Sequence, residues 1–275
     1  MTIAPLEAEA DLKAELNIIE KWEQSQKDLF FWEKLGRLPF AILDRMTPKF
    51  IQDKIGTALD EIGSYIQNGG RYLVSKEQLY RRFFPQYDMD ETACMERIAQ
   101  LPLNRMDEMA DGIMQSSSNA ATVQGATTGI GGLFTLAIDI PLLLGLSLKA
   151  LQEIAISYGY DPTHKSERIF IVKCLQFSSS VIVGKKAILE DLAAFHSGER
   201  SGQVISQLQG WREVMVTYRD NFGWKKLFQM IPIAGMLFGA FLNRSTLQDV
   251  TEAGKMMYRK RRIMEKLKHY NPSST

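Results

Sequence analysis

The stretch from Gly125 to Pro162, GATTGIGGLFTLAIDIPLLLGLSLKALQEIAISYGYDP, decides how this chain is read. No charged side chain occurs between Ser116 and Ile138, and after Asp139 the chain stays uncharged to Leu148. Such a run is long enough for a bilayer, which takes about 20 apolar residues. It is also interrupted, by glycines, by Asp139 and by Pro141. Asp is a good N-cap, and proline is tolerated in a first helical turn. Asp139-Ile140-Pro141 therefore predicts two helices, one ending near Ala137 and one from Ile140 to Tyr158, stopped by Gly159.

Outward from this stretch the pattern stays helical. Leu12, Leu16, Ile19, Trp22 and Leu29/Phe30 recur at three-to-four spacing, with Gly36 as the stop. Thr47-Pro48 reads as a cap and first turn, for a helix running to Asn68-Gly69-Gly70. Ser75-Lys76-Glu77-Gln78 has capping-box spacing before a short helix that ends ahead of Pro85. Another short helix fits between Asp90 and Gln100, and a longer one resumes at Asn104. Asp161-Pro162 repeats the cap-plus-proline signal. Lys185–Phe195 and Gln203–Arg219 read as helical, and Ser245 or Thr246 is expected to cap a last helix to about His269. No alternating runs separated by turn dipeptides suggest strands. The expected fold is all-α, a multi-helix bundle around a central apolar, glycine-bearing helical hairpin. Residues 1–40 are read as an N-terminal extension and 41–270 as the main domain.

Gly125 and Gly129 are four apart, as are Gly235 and Gly239. Small residues at that spacing let helix backbones approach closely, in soluble cores and in membranes. The runs Thr122–Ile138 and Leu227–Leu242 are thus expected to pack together, either as a soluble core or as a membrane-docking hairpin. A constitutive two-span anchor fits poorly, because the second run has 16 uncharged residues and contains Pro232.

Bulk composition is that of a globular protein, with 24% charged residues and a formal net charge of +1. A near-neutral chain does not suggest a nucleic-acid partner. The charge is unevenly distributed. Glu7, Glu9, Asp11, Glu15, Glu20 and Glu23 face only Lys13 and Lys21 near one end, while Lys255, Arg259, Lys260, Arg261, Arg262, Lys266 and Lys268 crowd the other. The latter group, interleaved with Met256, Met257, Ile263, Met264 and Leu267, reads either as a basic amphipathic helix for anionic lipid or as a solvated face at a helix C-terminus. Cys94 and Cys174 match no metal or redox spacing and read as buried thiols of a reducing compartment. The start, MTIAPLEAEADLKAE, lacks the basic-then-apolar order of a secretory signal, so a cytoplasmic chain is expected.

Catalytic and cofactor motifs are sparse. Gly129-Ile130-Gly131-Gly132 puts Phe134 where a dinucleotide fingerprint needs a small residue, and no strand precedes it. Gly184-Lys185 lacks the remaining glycine of a phosphate loop, and Gly145-Leu146-Ser147-Leu148 ends in Lys149 rather than glycine. His164, His196 and His269 are scattered, so no metal site and no cofactor are expected. One cluster stays open as a catalytic candidate. Asp139, Lys149 and Glu153 share a sector of one helix, and a pocket with Tyr160 would make an enzyme of unknown reaction; the alternative is a cap plus an ordinary ion pair.

The run IDIPLLLGLSLKALQEIAISYGYDP with Glu167-Arg168, and the block Ile231 to Asn243 followed by a helix through Arg261-Arg262, resemble the signatures of the EcsC family. A vaguer likeness covers Thr47 to Tyr65. The family takes its name from a bacterial protein encoded beside the subunits of an ABC transporter linked to secretion. The resemblance brings no catalytic residue set. It implies a bacterial, membrane-proximal helical accessory protein, more a non-enzyme than an enzyme. The expected partner is an anionic membrane surface or a membrane-protein complex at the inner face of the cell membrane. A soluble helical scaffold is the remaining alternative.

Overall fold

The computed structural model describes residues 7–26, 60–69, 74–84, 90–129, 133–179, 188–189, 192 and 232–270. Among these every regular element is a helix, as expected of an all-α bundle. In chain order they are α1 (Glu9–Ser25), α2 (60–68), α3 (Lys76–Phe83), α4 (Glu91–Ala99), α5 (Leu103–Gly129), α6 (Leu133–Ser157), α7 (Lys165–Ser179) and α8 (Pro232–Lys268). Residues 188, 189 and 192 are also helical. The readings made for Gly36, Thr47-Pro48 and Gln203–Arg219 lie outside the described residues.

The 37-residue α8, about 55 Å long at 1.5 Å per residue, is the pillar of the bundle. It packs along α5 and also against α6, α7 and α1. Polar pairs fix its direction. Arg244 meets Asn119, Lys255 meets Asp111 and Arg259 meets Asp107, so α8 and α5 run antiparallel. Trp22 with Glu252, and Glu15 with Arg259, set α1 antiparallel to α8 as well. Met106, Ala110 and Ile113 of α5, Leu148, Leu151 and Ile154 of α6 and Leu247, Val250 and Met257 of α8 fill the core at three-to-four spacing.

Several buried polar side chains serve their own helices. Ser147 donates to the Leu143 carbonyl, Gln152 to Leu148, Ser157 to Glu153 and Thr251 to Leu247. Such i−4 bonds let polar residues sit inside an apolar bundle without lining a channel.

Four expected boundaries are corrected. α1 ends at Ser25, ahead of Leu29/Phe30 and of the stop expected at Gly36. α6 runs unbroken from Leu133 through Asp139 and Pro141, so Asp139 caps no helix. Burial of Leu143, Leu144, Leu148 and Leu151 outweighs the hydrogen bond that Pro141 cannot donate, a defect of about 3 kcal/mol in a helix interior. α8 likewise passes through Ser245 and Thr246, because no Gly or Pro interrupts residues 240–253 and the buried spacing continues at Leu247 and Val250. Asp161-Pro162 does not open α7. Asp161 Oδ1 accepts hydrogen bonds from the amide and hydroxyl of Thr163, forming a local turn, and α7 starts at Lys165. Ser75 sits where a cap was expected, ahead of Lys76, but its side chain makes no cap hydrogen bond.

The helices bearing the two glycine pairs, α5 and α8, do pack together. Gly125 is buried, whereas the surroundings of Gly129, Gly235 and Gly239 lie outside the described residues. The close approach that is described falls elsewhere. A Cβ added at Gly254 of α8 would stand 2.4 Å from Leu151 Cδ2 of α6. Gly254→Ala should therefore destabilise the protein by about 1–2 kcal/mol in chemical denaturation, overpacking outweighing the helix-propensity gain of about 1 kcal/mol.

No helix among the described residues is long and apolar enough to cross a membrane.

Candidate functional site

The polar chemistry of the bundle gathers where the end of α6, the start of α7 and the last turns of α8 meet. The junction is set by Gly159. Its φ of +78° lets the chain leave α6 in a Schellman motif, with Tyr160 N–H donating to Ala155 O and Gly159 N–H to Ile156 O. The turn delivers Tyr158, Tyr160 and Asp161 to three different partners.

Glu167 is the centre. It is buried at the start of α7, where Oε1 accepts from Tyr258 Oη at 2.7 Å and Oε2 pairs with Arg261 Nη1 at 2.9 Å. Burial pushes its carboxyl above the usual range, against the opposing pull of Arg261 and Tyr258. Arg261 stays charged, held up by Glu167 although burial works against it. Its guanidinium lies 4.0 Å from the Tyr160 ring centroid and 5.1 Å from that of Phe170. Arg262 also lies over Tyr160, at 4.5 Å. Tyr160, Tyr258 and Phe170 stack in tilted contacts, completing a cation–aromatic box. Cys174 is fully buried beside it, its thiol pushed up by burial and by Glu167. Burial likewise raises the Tyr258 and Tyr160 phenols, so both stay neutral, and the Tyr258 hydroxyl is the one that donates to Glu167.

The flanking arginines close helix ends. Arg262 Nε donates to the Tyr158 carbonyl at 2.9 Å, and Arg168 donates to the carbonyls of Ile66 and Gln67, at the C-terminus of α2. Both place a cation where last-turn carbonyls lack partners and the helix dipole is negative. Asp161 Oδ2 binds Lys76 at 2.9 Å; burial alone would raise its pKa, but the bonds from Thr163 and Lys76 prevail and hold it low. Asp107 joins Tyr158 Oη, at 2.6 Å, to Arg259.

The basic residues of α8 are thus turned onto the protein's own acids, not presented to solvent. Arg259 reaches Asp107 and Glu15, Lys260 reaches Glu23, and Lys266 reaches Glu7 and the Leu101 carbonyl. With Arg261 and Arg262, their side-chain exposures run from 9% to 23%. Lys268 alone of the expected lipid-binding set is exposed.

Of the catalytic candidates on α6, Lys149 and Glu153 are described, and they pair with each other. Lys149 is 60% exposed and sits 3.9 Å from Glu153, the expected i,i+4 pair. Burial raises the Glu153 carboxyl against Lys149 and Arg82. The Asp139 side chain lies outside the described residues. No group of His, Cys, Asp and Glu among the described residues is arranged to hold a metal ion.

Glu167 and Tyr258 were missed as partners by sequence reasoning, although Glu167-Arg168 and Arg261-Arg262 stood in the quoted motifs. That pair had no spacing signal; the acidic excess of residues 7–23 against the basic excess of 255–268 signalled only that the two ends of opposite charge lie side by side, as they do.

Fold and site define an all-helical bundle whose two motif blocks meet in one buried ionic and aromatic node. The chain belongs to the EcsC protein family, whose model matches residues 13–263, a match that begins inside α1. It is similar to the uncharacterized protein YdbA of Bacillus subtilis (strain 168), at 57% identity over 96% of this chain and 97% of that protein. It is also similar to Protein EcsC of the same organism, at 29% identity over 60% of this chain and 67% of that protein. No solved structure matches.

Proposed function

We propose that this protein is a non-enzymatic accessory component that works at the cytoplasmic face of a membrane, on anionic lipid or on a membrane-protein complex such as a transporter. The observation that carries the reading is the concentration of cations on the last four turns of α8, from Lys255 to Lys268, which the protein's own acids hold in place and which an anionic surface competes for. Cations grouped on one helix end attract an anionic leaflet at about 1 kcal/mol each when they reach it. The transporter connection comes from the resemblance to the EcsC family, named for a protein encoded beside the subunits of an ABC transporter.

The non-enzymatic part rests on how the node uses its groups. Glu167 spends its oxygens on Tyr258 and Arg261, and Arg262 is taken up by backbone carbonyls and Glu265. Saturated groups of this kind lock elements together; a catalytic base needs a lone pair facing a substrate.

The test is co-sedimentation with anionic vesicles at low salt and at about 1 M salt, where the screening length drops to about 3 Å. Binding at low salt that is lost at high salt is expected. In cells, the protein should fractionate with membranes and be released by a carbonate wash. A wholly soluble distribution, with no low-salt vesicle binding, sinks the reading.

A further inference from the structure

We infer that α1 is a removable cover over the basic face of α8, and that its displacement presents that face to an anionic lipid surface. The inference rests on the membrane reading above and supplies its regulation.

α1 is attached by ion pairs as well as by an apolar strip, and the ion pairs are the part a charge change can remove. Glu15 holds Arg259 and Glu23 holds Lys260, both at 2.8 Å; Glu7 holds Lys266, and the Trp22 indole N–H donates to Glu252 at 2.8 Å. Leu12 and Ile19 are its fully buried apolar residues, with Trp22 resting on Phe177. α8 also packs against α5, α6 and α7, contacts in which α1 takes no part.

What lies beneath α1 is the very set of cations a lipid surface would use. Among the described residues Lys260 pairs with Glu23 alone, through both carboxylate oxygens. Lys266 would keep only the Leu101 carbonyl, and Arg259 only Asp107. Lys260, freed outright, with Lys266 and Arg259 each released from one partner, would join the already exposed Lys268 on the last turns of α8. Carboxylates of α1 and phosphates of a leaflet offer the same chemistry to these cations, so the two compete for one face. The opposite charges of the two chain ends are then a matched pair, one half of which can be exchanged.

Full-length variants test this, read by co-sedimentation with phosphatidylglycerol-containing and pure phosphatidylcholine vesicles and by hydrogen exchange of the α1 amides. Glu15→Gln with Glu23→Gln should speed α1 exchange, leave α5 and α8 protected, and raise partitioning onto the anionic vesicles by about fivefold per cation freed. Asp11→Asn with Glu20→Gln makes the same charge change on exposed positions of α1 and should leave both readings near wild type. Glu23→Lys should open α1 further, and adding Lys260→Glu should close it again.

Faster α1 exchange without a gain in anionic-vesicle binding overturns the proposal. So does an equal gain from the Asp11/Glu20 variant, or α1 exchange that no charge change alters. The failures are separable. If wild type and the Glu15/Glu23 variant bind anionic vesicles equally well, the membrane reading stands and the cover falls. If neither binds although α1 exchanges freely, the membrane reading falls with it.

Discussion

Replacing Gly159 with alanine is expected to remove about 3 kcal/mol or more of stability, through two effects that add at one atom. The first is conformational. Gly159 holds φ at +78°, and a non-glycine residue there is strained by about 1 kcal/mol or more. The second is steric. A Cβ would stand 2.8 Å from Ala99 Cα and 2.9 Å from Arg262 Nη2. The first neighbour is backbone at the end of α4 and cannot swing away. The second is the guanidinium that caps α6 through the Tyr158 carbonyl, so its displacement uncovers that helix end. Thermal unfolding should show Tm lower by about 5–10 °C. A variant that melts with wild type would mean that α4 and Arg262 are not held against this turn.

Much of this junction was legible in the sequence, because its punctuation is local. Glycine after an apolar helix, as at Gly159, specifies its own conformation wherever it sits. The same holds for Pro85, Asp90 and Pro102, which bracket α3 and α4 where the structure has them. Local signals misled where burial overrides them. Asp139-Ile140-Pro141 has every mark of a helix start, yet α6 carries enough buried leucine beyond it to run straight through. Ser245 and Thr246 cap helices elsewhere but cannot break one that continues into Leu247 and Val250.

The node was less legible than the helices, for a different reason. Periodicity assigns a residue to a face; it does not say what that face meets. Lys260 and Glu23 are 237 positions apart; opposite charge at the two ends suggests that they attract, but no spacing says which acid meets which cation. Arg261 illustrates the cost of that gap. Read on its own helix it is one more cation in a basic run, suited to lipid. In the fold it is the counter-ion of a buried carboxylate and a cap on aromatic rings.

Glu167→Gln should cost about 3 kcal/mol, because it removes one charge of a buried pair and leaves the other. The side chain of Arg261 is 23% exposed and has Glu265 at 3.8 Å, which keeps the loss at the lower end for such a change. The revealing comparison is the apolar triple variant Glu167→Leu, Tyr258→Phe, Arg261→Met. It removes both charges together with the hydroxyl that would otherwise lose its acceptor, and it should recover to within about 1–2 kcal/mol of wild type. Chemical denaturation of the two variants decides the matter. If the triple variant is no more stable than Glu167→Gln, the node contributes stability in its own right; recovery would show that it contributes orientation, fixing how α7 and α8 meet. The pH dependence should point the same way. Burial raises the Glu167 carboxyl above its unfolded value, so the folded state holds its proton to higher pH. The stability contributed by the protonated form is present below the ordinary carboxylate range and is lost as pH rises through the raised value. Wild type should therefore lose ground to the triple variant across that window, since the variant has no such group to ionise. A wild type that instead gains on the variant over that window would mean that Arg261 and Tyr258 overcome the burial penalty, and that the charged pair is the stable state of the node.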